Sequence, residues 1–152
     1  MIEPRDLLDR VRRAVRRAGA GREEKLEALC GLLRDSARHY DWVGFYIADE
    51  TKRQLVLGPY AGEPTDHLRI GYGSGICGRA ADTKKTFVVQ DVTREANYLS
   101  CSPSVKAEIV VPVMKQGRFV AELDIDSHTL RPFSDEERKV LEQVCEIVSE
   151  LF

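Results

Sequence analysis

Paired cysteines of the CxxC type are missing from this 152-residue sequence, although it contains four cysteines. Their wide spacing argues against a zinc ribbon and against a thioredoxin-like redox motif. A surplus of positive charge is missing as well, because 23 Lys and Arg residues stand against 25 Asp and Glu residues. Proteins that bind nucleic acid usually carry such a surplus, so we expect no nucleic-acid partner. The four cysteines are Cys30, Cys77, Cys101 and Cys145.

Long apolar segments are also absent. No run approaches the roughly 18–20 apolar residues that cross a bilayer, which predicts that the protein has no membrane partner. The first residues lead into an Arg-rich amphipathic stretch and lack the apolar core of a secretory signal. We therefore expect a cytoplasmic location, where thiols stay reduced. A chain of this length corresponds to one domain and can bury a core without disulfides or metals.

The distribution of apolar residues divides the predicted single domain, residues 1–152, into three parts. Residues 1–38 contain two helical patterns, residues 39–133 contain strands and a candidate ligand pocket, and residues 134–152 contain one more helix. The strands come mostly in antiparallel pairs, with helices at both ends of the chain. This order predicts an α+β fold in which an antiparallel sheet is flanked by helices.

Capping residues indicate where the terminal helices begin. Asp6 is a suitable N-cap for the first helix. Ser134, followed three residues later by Glu137, predicts a capping box at the start of the last helix. The first helix also has an arginine-rich face over residues 10–17, which favours solvent or a partner subunit over nucleic acid or lipid.

Six short segments are predicted as strands from their β-branched and aromatic residues. Gly58 and Pro59 are expected to end the second strand. Gly117 favours a tight hairpin turn between the last two strands. The predicted strands are residues 42–47, 54–57, 68–70, 87–89, 108–114 and 118–126.

Acidic and apolar residues alternate along the last predicted strand. Since side chains alternate between the two faces of a strand, three acids are expected on one face, with Glu108 of the neighbouring strand beside them. Carboxylates held close together raise at least one pKa, so the group would bind an ammonium and supply a proton. A merely solvated face is the alternative. The three acids are Glu122, Asp124 and Asp126, and the opposite face is expected to carry Phe119, Ala121, Leu123 and Ile125.

Residues 73–78 match the pattern GxGxxG. A dinucleotide site needs a βαβ unit around this pattern, whereas antiparallel hairpins are predicted here. The glycines are therefore interpreted as a turn into a short helix over residues 76–83. This turn puts Cys77 near the helix N-terminus, where the helix dipole lowers a thiol pKa. A small buried packing residue is an equally good interpretation of Cys77.

Cys101 is the strongest candidate for a reactive thiol, because it lies in a long polar loop. Cys30 and Cys145 instead fall on apolar helix stripes and are predicted to be core residues. His67 leaves two further options open: a nucleophile pair with Cys101, or a metal site with Cys77 and Cys101. These spacings match no reliable metal pattern, so we expect no metal.

Six short segments of the chain stand in an order and at a spacing found in one known family. They are WVGFY at residues 42–46, LVLGPYAG at 55–62, GSGICG at 73–78, QDV at 90–92, EIVVP at 108–112 and LDIDS at 123–127. Together they resemble the free methionine-(R)-sulfoxide reductases, which are stand-alone GAF domains. The resemblance implies terminal helices packed together on one face of the sheet and a ligand pocket on the other. It also implies a homodimer formed through the terminal helices.

The resemblance further implies an activity and a role for each candidate site residue. The activity is reduction of free L-methionine (R)-S-oxide to L-methionine, with Cys101 as the nucleophile and a sulfenic acid as the intermediate. No bound cofactor is implied, and an external thiol reductant such as thioredoxin restores the enzyme. Cys77 is the candidate second catalytic thiol. Glu108, Asp124 and Asp126 are implied to bind the substrate and the sulfoxide oxygen, and Trp42 and Tyr46 to wall its methyl end.

Three positions depart from the family pattern. His67 stands where many members carry a resolving cysteine, which leaves Cys77 as the remaining candidate within the chain. Ser102 replaces a frequent Asp after the nucleophile, and Glu122 replaces an apolar residue. These departures keep two other functions open. One is a GAF domain that binds a small effector without chemistry, and the other is a redox switch in which Cys77 and Cys101 form a reversible disulfide.

Overall fold

A computed structural model describes residues 1–96, 98 and 103–152 of the chain. Within these ranges the chain forms four α-helices and six β-strands, with 3₁₀ turns at Val92–Arg94 and Ser149–Leu151. The helices are α1 (Pro4–Val15), α2 (Arg22–Ser36), α3 (Gly75–Thr83) and α4 (Asp135–Val148). The strands are β1 (Trp42–Asp49), β2 (Gln54–Ala61), β3 (Arg69–Gly71), β4 (Phe87–Val89), β5 (Ala107–Lys115) and β6 (Arg118–Ser127).

The six strands form one antiparallel sheet in the order β3-β2-β1-β6-β5-β4. Its centre is the pair β1 and β6. Helices α1, α2 and α4 cover one face of the sheet, and α3 packs on the other. This arrangement confirms the predicted fold class, including the terminal helices on a common face. Because α1, α2 and α4 cover the other face, a ligand site on the two central strands is expected on the α3 side.

The larger core lies between the sheet and the terminal helices. Each of these helices buries the apolar side chains that recur at intervals of three or four residues. Burial of one leucine stabilises the fold by about 1.5–3 kcal/mol. Cys30 and Cys145 are buried in this layer, which confirms them as core residues. No helix in the described ranges is both long enough and apolar enough to cross a membrane. The fully buried core residues include Leu7, Leu29, Leu141, Ala121, Leu123 and Ile125.

Helix α1 begins earlier than predicted, and Asp6 is not its N-cap. Glu3 occupies the N-cap position with extended backbone, and Pro4 takes the first helical position. Proline suits this position because its fixed φ is helical and the N–H that it lacks would have no partner there. Asp6 lies in the first turn, where its charge still interacts favourably with the helix dipole.

Helix α4 begins with the predicted capping box. The Glu137 backbone N–H donates to Ser134 Oγ at 3.1 Å, and the Ser134 N–H donates to the Glu137 carboxylate at 2.8 Å. The same carboxylate accepts a hydrogen bond from the Tyr40 hydroxyl and contacts the His39 ring. The box therefore ties the start of α4 to the segment that leads into β1.

Strand β2 continues to Ala61, so the expectation that Gly58 and Pro59 end it is wrong. The register between β1 and β2 shifts between Gly44 and Tyr46, so that two residues of β2 oppose one residue of β1. A bulge accommodates proline inside a strand because the regular ladder hydrogen bond is already interrupted there.

The hairpin between β5 and β6 has the predicted tight turn. Its two loop residues, Gln116 and Gly117, have φ of 50° and 77°. A two-residue turn of type I′, whose twist matches the flanking strands, has positive φ at both positions. The hairpin therefore sets the register that brings the acidic residues of the two strands together.

A bulge in β6 moves Phe119 to the opposite face from the one predicted. Ala121 pairs with Val113, but Phe119 pairs with Met114, so Val120 is an extra residue in the ladder. An extra residue reverses the alternation of side chains beyond it. Phe119 therefore packs on the α3 side, whereas Ala121 lies in the core beneath the terminal helices. The prediction that these two residues share a face is wrong for this reason.

Candidate functional site

Strands β5 and β6 carry four acidic side chains into the layer between the sheet and α3. Glu122, Asp124 and Asp126 lie at alternating positions of β6, and Glu108 of β5 pairs with Asp126. None of the four is more than 4% exposed, so the alternative of a solvated face is wrong. A buried carboxylate needs a hydrogen bond, a cation or a proton to offset the loss of water. The cluster therefore has the chemistry of a site that takes up protons or a cationic group.

Burial raises the pKa of two of these acids. For Glu122, loss of water is the largest cause, and the negative charge of Asp124 adds to it. For Asp124, loss of water outweighs the opposing effects of Glu108, Cys77 and the nearby His67 imidazole. Both carboxyl oxygens of Glu122, and Oδ1 of Asp124, have no hydrogen-bond partner among the described residues. A carboxyl that keeps its proton near neutral pH can act as a proton donor.

Cys77 lies in the first turn of α3, as the glycine-rich segment predicts. Gly73 and Gly75 adopt φ of 89° and 64°, a region that favours glycine. A Cβ on Gly78 would lie 2.4 Å from the Gly71 carbonyl oxygen, so the helix packs directly on the end of β3. The glycines thus build a turn into a helix beside an antiparallel sheet, and the βαβ unit of a dinucleotide site does not surround them.

The environment of Cys77 raises the pKa of its thiol well above the ordinary value. Burial is the largest cause, followed by the negative charges of Asp124 and Glu108. The expectation that the helix N-terminus lowers this pKa is wrong, because loss of water and nearby carboxylates outweigh the helix dipole. The Cys77 Sγ lies 3.7 Å from Oε2 of Glu108. The neutral thiol therefore has a carboxylate beside it that can accept its proton.

Cys77, Glu108 and Asp124 form one cluster, in which a ligating atom of each residue lies within 4.8 Å of the others. The cluster borders a cavity of about 10 Å³, which is room for about one water-sized sphere. Tyr46 and His67 line the same cavity. Four of the predicted site residues therefore line this one cavity: Tyr46, Cys77, Glu108 and Asp124.

A rigid aromatic wall stands beside the acids. The rings of Trp42 and Tyr60 stack with centroids 5.4 Å apart, and Tyr46 lies 6.5 Å from Trp42. Trp42 Nε1 donates to the carbonyl of Glu63 at 2.9 Å. Gly44 leaves space for the indole, since a Cβ there would lie 2.3 Å from Trp42 Cη2. Sequence reasoning missed Tyr60, although it lies in the LVLGPYAG segment.

Asp126 borders a second cavity, of about 100 Å³, together with Trp42 and Val105. Asp124 and Asp126 are two residues apart on one face of β6, which corresponds to about 7 Å along the strand. Neighbouring positions on this face of β6 therefore reach both cavities, Asp124 the first and Asp126 the second. Together the two cavities offer more room for a small molecule than the enclosed point next to Cys77 alone.

The predicted nucleophile, Cys101, lies outside the described residues, and so does Ser102. Val105, which lines the cavity of Asp126, follows Cys101 by four positions in the sequence. The role of Cys101 remains a prediction, and so does a disulfide between it and Cys77.

His67 is fixed by its backbone at the edge of the cavity that it shares with Cys77. Its carbonyl accepts a hydrogen bond from the Tyr46 hydroxyl at 3.1 Å, and its N–H donates to Thr65 Oγ1 at 3.1 Å. A pair formed with Cys101, or a metal site that includes both, remains a prediction. The sequence signal for His67 is its position just before β3, where the chain turns back toward the site.

The GAF domain family model matches residues 19–152, a range that contains all the site residues described above. The chain belongs to the GAF domain family. The GAF domain-containing protein A of Dictyostelium discoideum is 40% identical over 110 residues, which are 72% of this chain and 68% of that protein. A protein of Escherichia coli (strain K12) named free methionine-R-sulfoxide reductase is 32% identical over 113 residues, 74% of this chain and 67% of that protein.

A solved structure extends these similarities to the fold. The X-ray structure of free methionine-R-sulfoxide reductase from Neisseria meningitidis, in complex with its substrate, matches with a TM-score of 0.91. The two chains are 31% identical, and the match covers 98% of this chain and 87% of that one. The resemblance inferred from the sequence motifs is therefore confirmed.

Proposed function

We propose that this chain reduces free L-methionine (R)-S-oxide to L-methionine, with Cys101 as the nucleophile. The observation that carries the proposal is the buried acidic cluster beside the rigid rings of Trp42 and Tyr46. Its fold is shared with proteins that are named for this activity.

The acids favour a free amino acid over the same residue in a peptide. Free methionine sulfoxide carries an ammonium group, which a residue inside a peptide lacks. Glu108, Asp124 and Asp126 lie close together and away from water. An ammonium held among them offsets part of the cost of keeping these carboxylates away from water. One of the three, in its protonated form, faces the sulfoxide oxygen.

The aromatic wall suits the other end of the substrate. The methyl group and sulfur of methionine sulfoxide pack well on aromatic rings, which also exclude water. Trp42 is held by its stacking on Tyr60 and by its hydrogen bond to Glu63. A ring fixed in this way positions the sulfur for attack and distinguishes the two sulfoxide epimers by shape.

The chemical step transfers the sulfoxide oxygen to the enzyme. The Cys101 thiolate attacks the sulfoxide sulfur and forms a sulfur–sulfur bond, and the sulfoxide oxygen takes up a proton. The resulting hydroxyl then moves from the methionine sulfur to the Cys101 sulfur, which breaks both the sulfur–oxygen bond of the substrate and the sulfur–sulfur bond. Methionine leaves with its sulfur reduced by two electrons, and Cys101 is oxidised to a sulfenic acid. A carboxyl with a raised pKa, such as Asp124, supplies the proton.

Regeneration requires a second thiol and an external reductant. The Cys77 sulfur attacks the sulfenic acid of Cys101, which forms a disulfide and releases water. Glu108, whose Oε2 lies 3.7 Å from the Cys77 sulfur, accepts the thiol proton. A dithiol protein such as thioredoxin then reduces the disulfide, so that the cycle needs no bound cofactor.

We also propose that the protein is a homodimer formed through its terminal helices, is cytoplasmic, and comprises a single domain over residues 1–152. Helices α1 and α4 pack beside each other, and Arg16 after α1 forms a bidentate ion pair with Glu150 after α4. This places both terminal helices on one surface. Sedimentation equilibrium of the purified chain tests the dimer.

The activity is tested with the separate R and S epimers of free methionine sulfoxide and with an R-sulfoxide peptide. We expect turnover of the free R epimer, coupled to oxidation of thioredoxin or dithiothreitol. Cys101→Ser should abolish it. Cys30→Ala, which removes a sulfur from the core, serves as the matched control and should retain it.

Absence of turnover with both reductants would contradict the proposal. Binding of the R epimer without turnover would instead indicate a GAF domain that senses a small effector. A reversible disulfide between Cys77 and Cys101 without any binding of the sulfoxide would indicate a redox switch.

A further inference from the structure

We propose that Glu122 is a positioning residue for the proposed reduction: it shares one proton with Asp124 and so keeps Asp124 able to protonate the sulfoxide oxygen. The inference rests on the proposed function, in which Asp124 supplies that proton. The chemical and regeneration steps described above make no use of Glu122. Its carboxyl is nevertheless one of the three departures from the family pattern, and it lies on the same face of β6 as Asp124.

Glu122 is a buried carboxyl without a partner. The residue is 0% exposed, and neither of its carboxyl oxygens has a hydrogen-bond partner among the described residues. The residues opposite it on the neighbouring strands are Tyr46 and Pro112, which carry no positive charge. A carboxylate that is kept from water needs a donor or a cation, and Glu122 has neither within the ranges that the structure describes. It therefore keeps its proton to higher pH than an exposed glutamate does.

Asp124 lies two positions beyond Glu122 on β6 and has different surroundings. Glu108, Cys77 and the His67 imidazole all favour its charged form. The charge of Asp124 in turn opposes ionisation of Glu122. Asp124 therefore ionises first, and the proton that is left belongs to the pair, mostly on Glu122 and in part on Asp124.

The shared proton extends the pH range over which Asp124 acts as a donor. Asp124 gives its proton to the sulfoxide oxygen and becomes a carboxylate. Glu122 then passes its proton to Asp124 and takes up another from the solvent between turnovers, so the pair returns to its starting state without any transfer of electrons. The Cys77 thiol interacts with both carboxyls and offers a path for this transfer.

The other titratable groups that the described part of the structure places around this pair include no Lys or Arg. Without a fixed positive charge nearby, a second negative charge on the pair is unfavourable. The two carboxyls together therefore retain one proton. The neighbouring groups are Cys77 of α3, Tyr46 of β1, Glu108 of β5, Asp126 of β6, His67 and Tyr72, which flank β3, and Cys145 of α4 from the opposite face of the sheet.

The test compares kcat/KM for the free R epimer in the unmodified chain and in Glu122→Gln, from about pH 5.5 to pH 8.5. Glutamine has the shape of a protonated glutamate but no carboxyl proton to share. Without the shared proton, the protonated fraction of Asp124 falls about tenfold for each pH unit above its pKa. We expect the ratio of variant to unmodified chain to stay near one at the acid end and to fall by about tenfold or more toward pH 8.5. The Cys101 thiol titrates in both proteins, so its contribution cancels in the ratio.

Two further variants separate proton sharing from a purely structural role. Glu122→Asp keeps a carboxyl, so its ratio to the unmodified chain should not change with pH, even where its rate is lower. Glu146→Gln makes the same chemical change as Glu122→Gln on the exposed face of α4 and should keep a ratio near one throughout. A ratio for Glu122→Gln that is lowered equally at every pH would overturn the proposal, and so would a ratio for Glu122→Asp that falls with pH.

Carbon-13 NMR of the side-chain carboxyls tests the sharing without any turnover. The Asp124 signal, assigned from its loss in Asp124→Asn, should titrate in two steps in the unmodified chain. It should titrate in one step in Glu122→Gln or, if that variant does not fold, in Glu122→Leu. A single step in the unmodified chain would overturn the inference whatever the activity. Two steps without any turnover of the sulfoxide would instead contradict the proposed reductase activity while supporting the shared proton.

Discussion

Gly44 and Trp42, two residues apart on β1, are packed so closely that a Cβ on residue 44 would lie 2.3 Å from Cη2 of the indole. That distance is shorter than any real contact, so the absence of a side chain at position 44 fixes where the ring lies. The same added atom would lie 2.9 Å from Cβ of Tyr60, the residue on which Trp42 stacks. A single glycine thus holds the aromatic wall in place.

Gly44→Ala is expected to displace the Trp42 ring and to lower the free energy of unfolding by about 1–3 kcal/mol, as overpacking does elsewhere. Urea denaturation measures the loss. Because Trp42 is the only tryptophan in the chain, its fluorescence reports the displacement directly, as a shift of the emission toward longer wavelength.

Gly31→Ala is the matched control, because a Cβ at this position in α2 meets nothing within 4 Å. Alanine inside a helix is favoured over glycine by about 0.5–1 kcal/mol, so this variant should be slightly more stable with unchanged fluorescence. Equal behaviour of the two variants would show that the space around residue 44 does not fix the indole.

The acidic face was predictable from the sequence because it depends only on local geometry. A regular strand alternates its side chains with a period of two, and the bulge of β6 lies before residue 121, so Glu122, Asp124 and Asp126 share a face. The capping box at Ser134 was predictable for the same reason, since it involves residues three apart.

The errors arose where tertiary structure overrides a local rule. The bulge at Val120 depends on how β6 pairs with β5. The sequence alone does not show which residues of the two strands pair. The thiol pKa of Cys77 depends on burial and on acids from other strands, which the helix position alone does not reveal. Asp6 lost the N-cap position because Pro4 fits the first helical position better.

Glu122→Gln is expected to make stability less dependent on pH. Burial and the charge of Asp124 raise the pKa of Glu122 above its ordinary 4.5, so the folded state keeps a proton that the unfolded chain loses. Stability from this group is therefore complete below about pH 4.5 and declines as the pH rises toward the folded-state pKa. The upper limit of this decline is about 1.4 kcal/mol per pH unit.

Urea denaturation of the unmodified chain and of Glu122→Gln, from about pH 5 to pH 8, measures this effect. The difference should grow with pH in favour of the glutamine variant. Glu146→Gln, an exposed change on α4, should follow the unmodified chain. A constant difference across the range would mean that Glu122 titrates alike in the folded and unfolded states.

Asp124→Asn is expected to lower kcat/KM for free methionine (R)-sulfoxide by roughly 100- to 4,000-fold. Removing one partner of a buried ion pair costs about 3–5 kcal/mol, and each 1.4 kcal/mol is a factor of about ten. Steady-state kinetics with the free R epimer measure the change. Asp82→Asn makes the same chemical change on the surface of α3 and should remain within about twofold of the unmodified chain. A similarly small effect of Asp124→Asn would remove this residue from substrate binding.

Cys77→Ala should separate the chemical step from regeneration. If Cys77 resolves the sulfenic acid, the variant still forms one equivalent of methionine per chain in a single turnover, because attack by Cys101 does not need the second thiol. Turnover with thioredoxin should then stop, and a dimedone adduct should accumulate on Cys101, as detected by mass spectrometry.

Cys145→Ala, which removes a buried sulfur from the opposite face of the sheet, should keep full turnover and form no such adduct. Thioredoxin-dependent turnover at the normal rate in Cys77→Ala would mean that the external thiol attacks Cys101 directly.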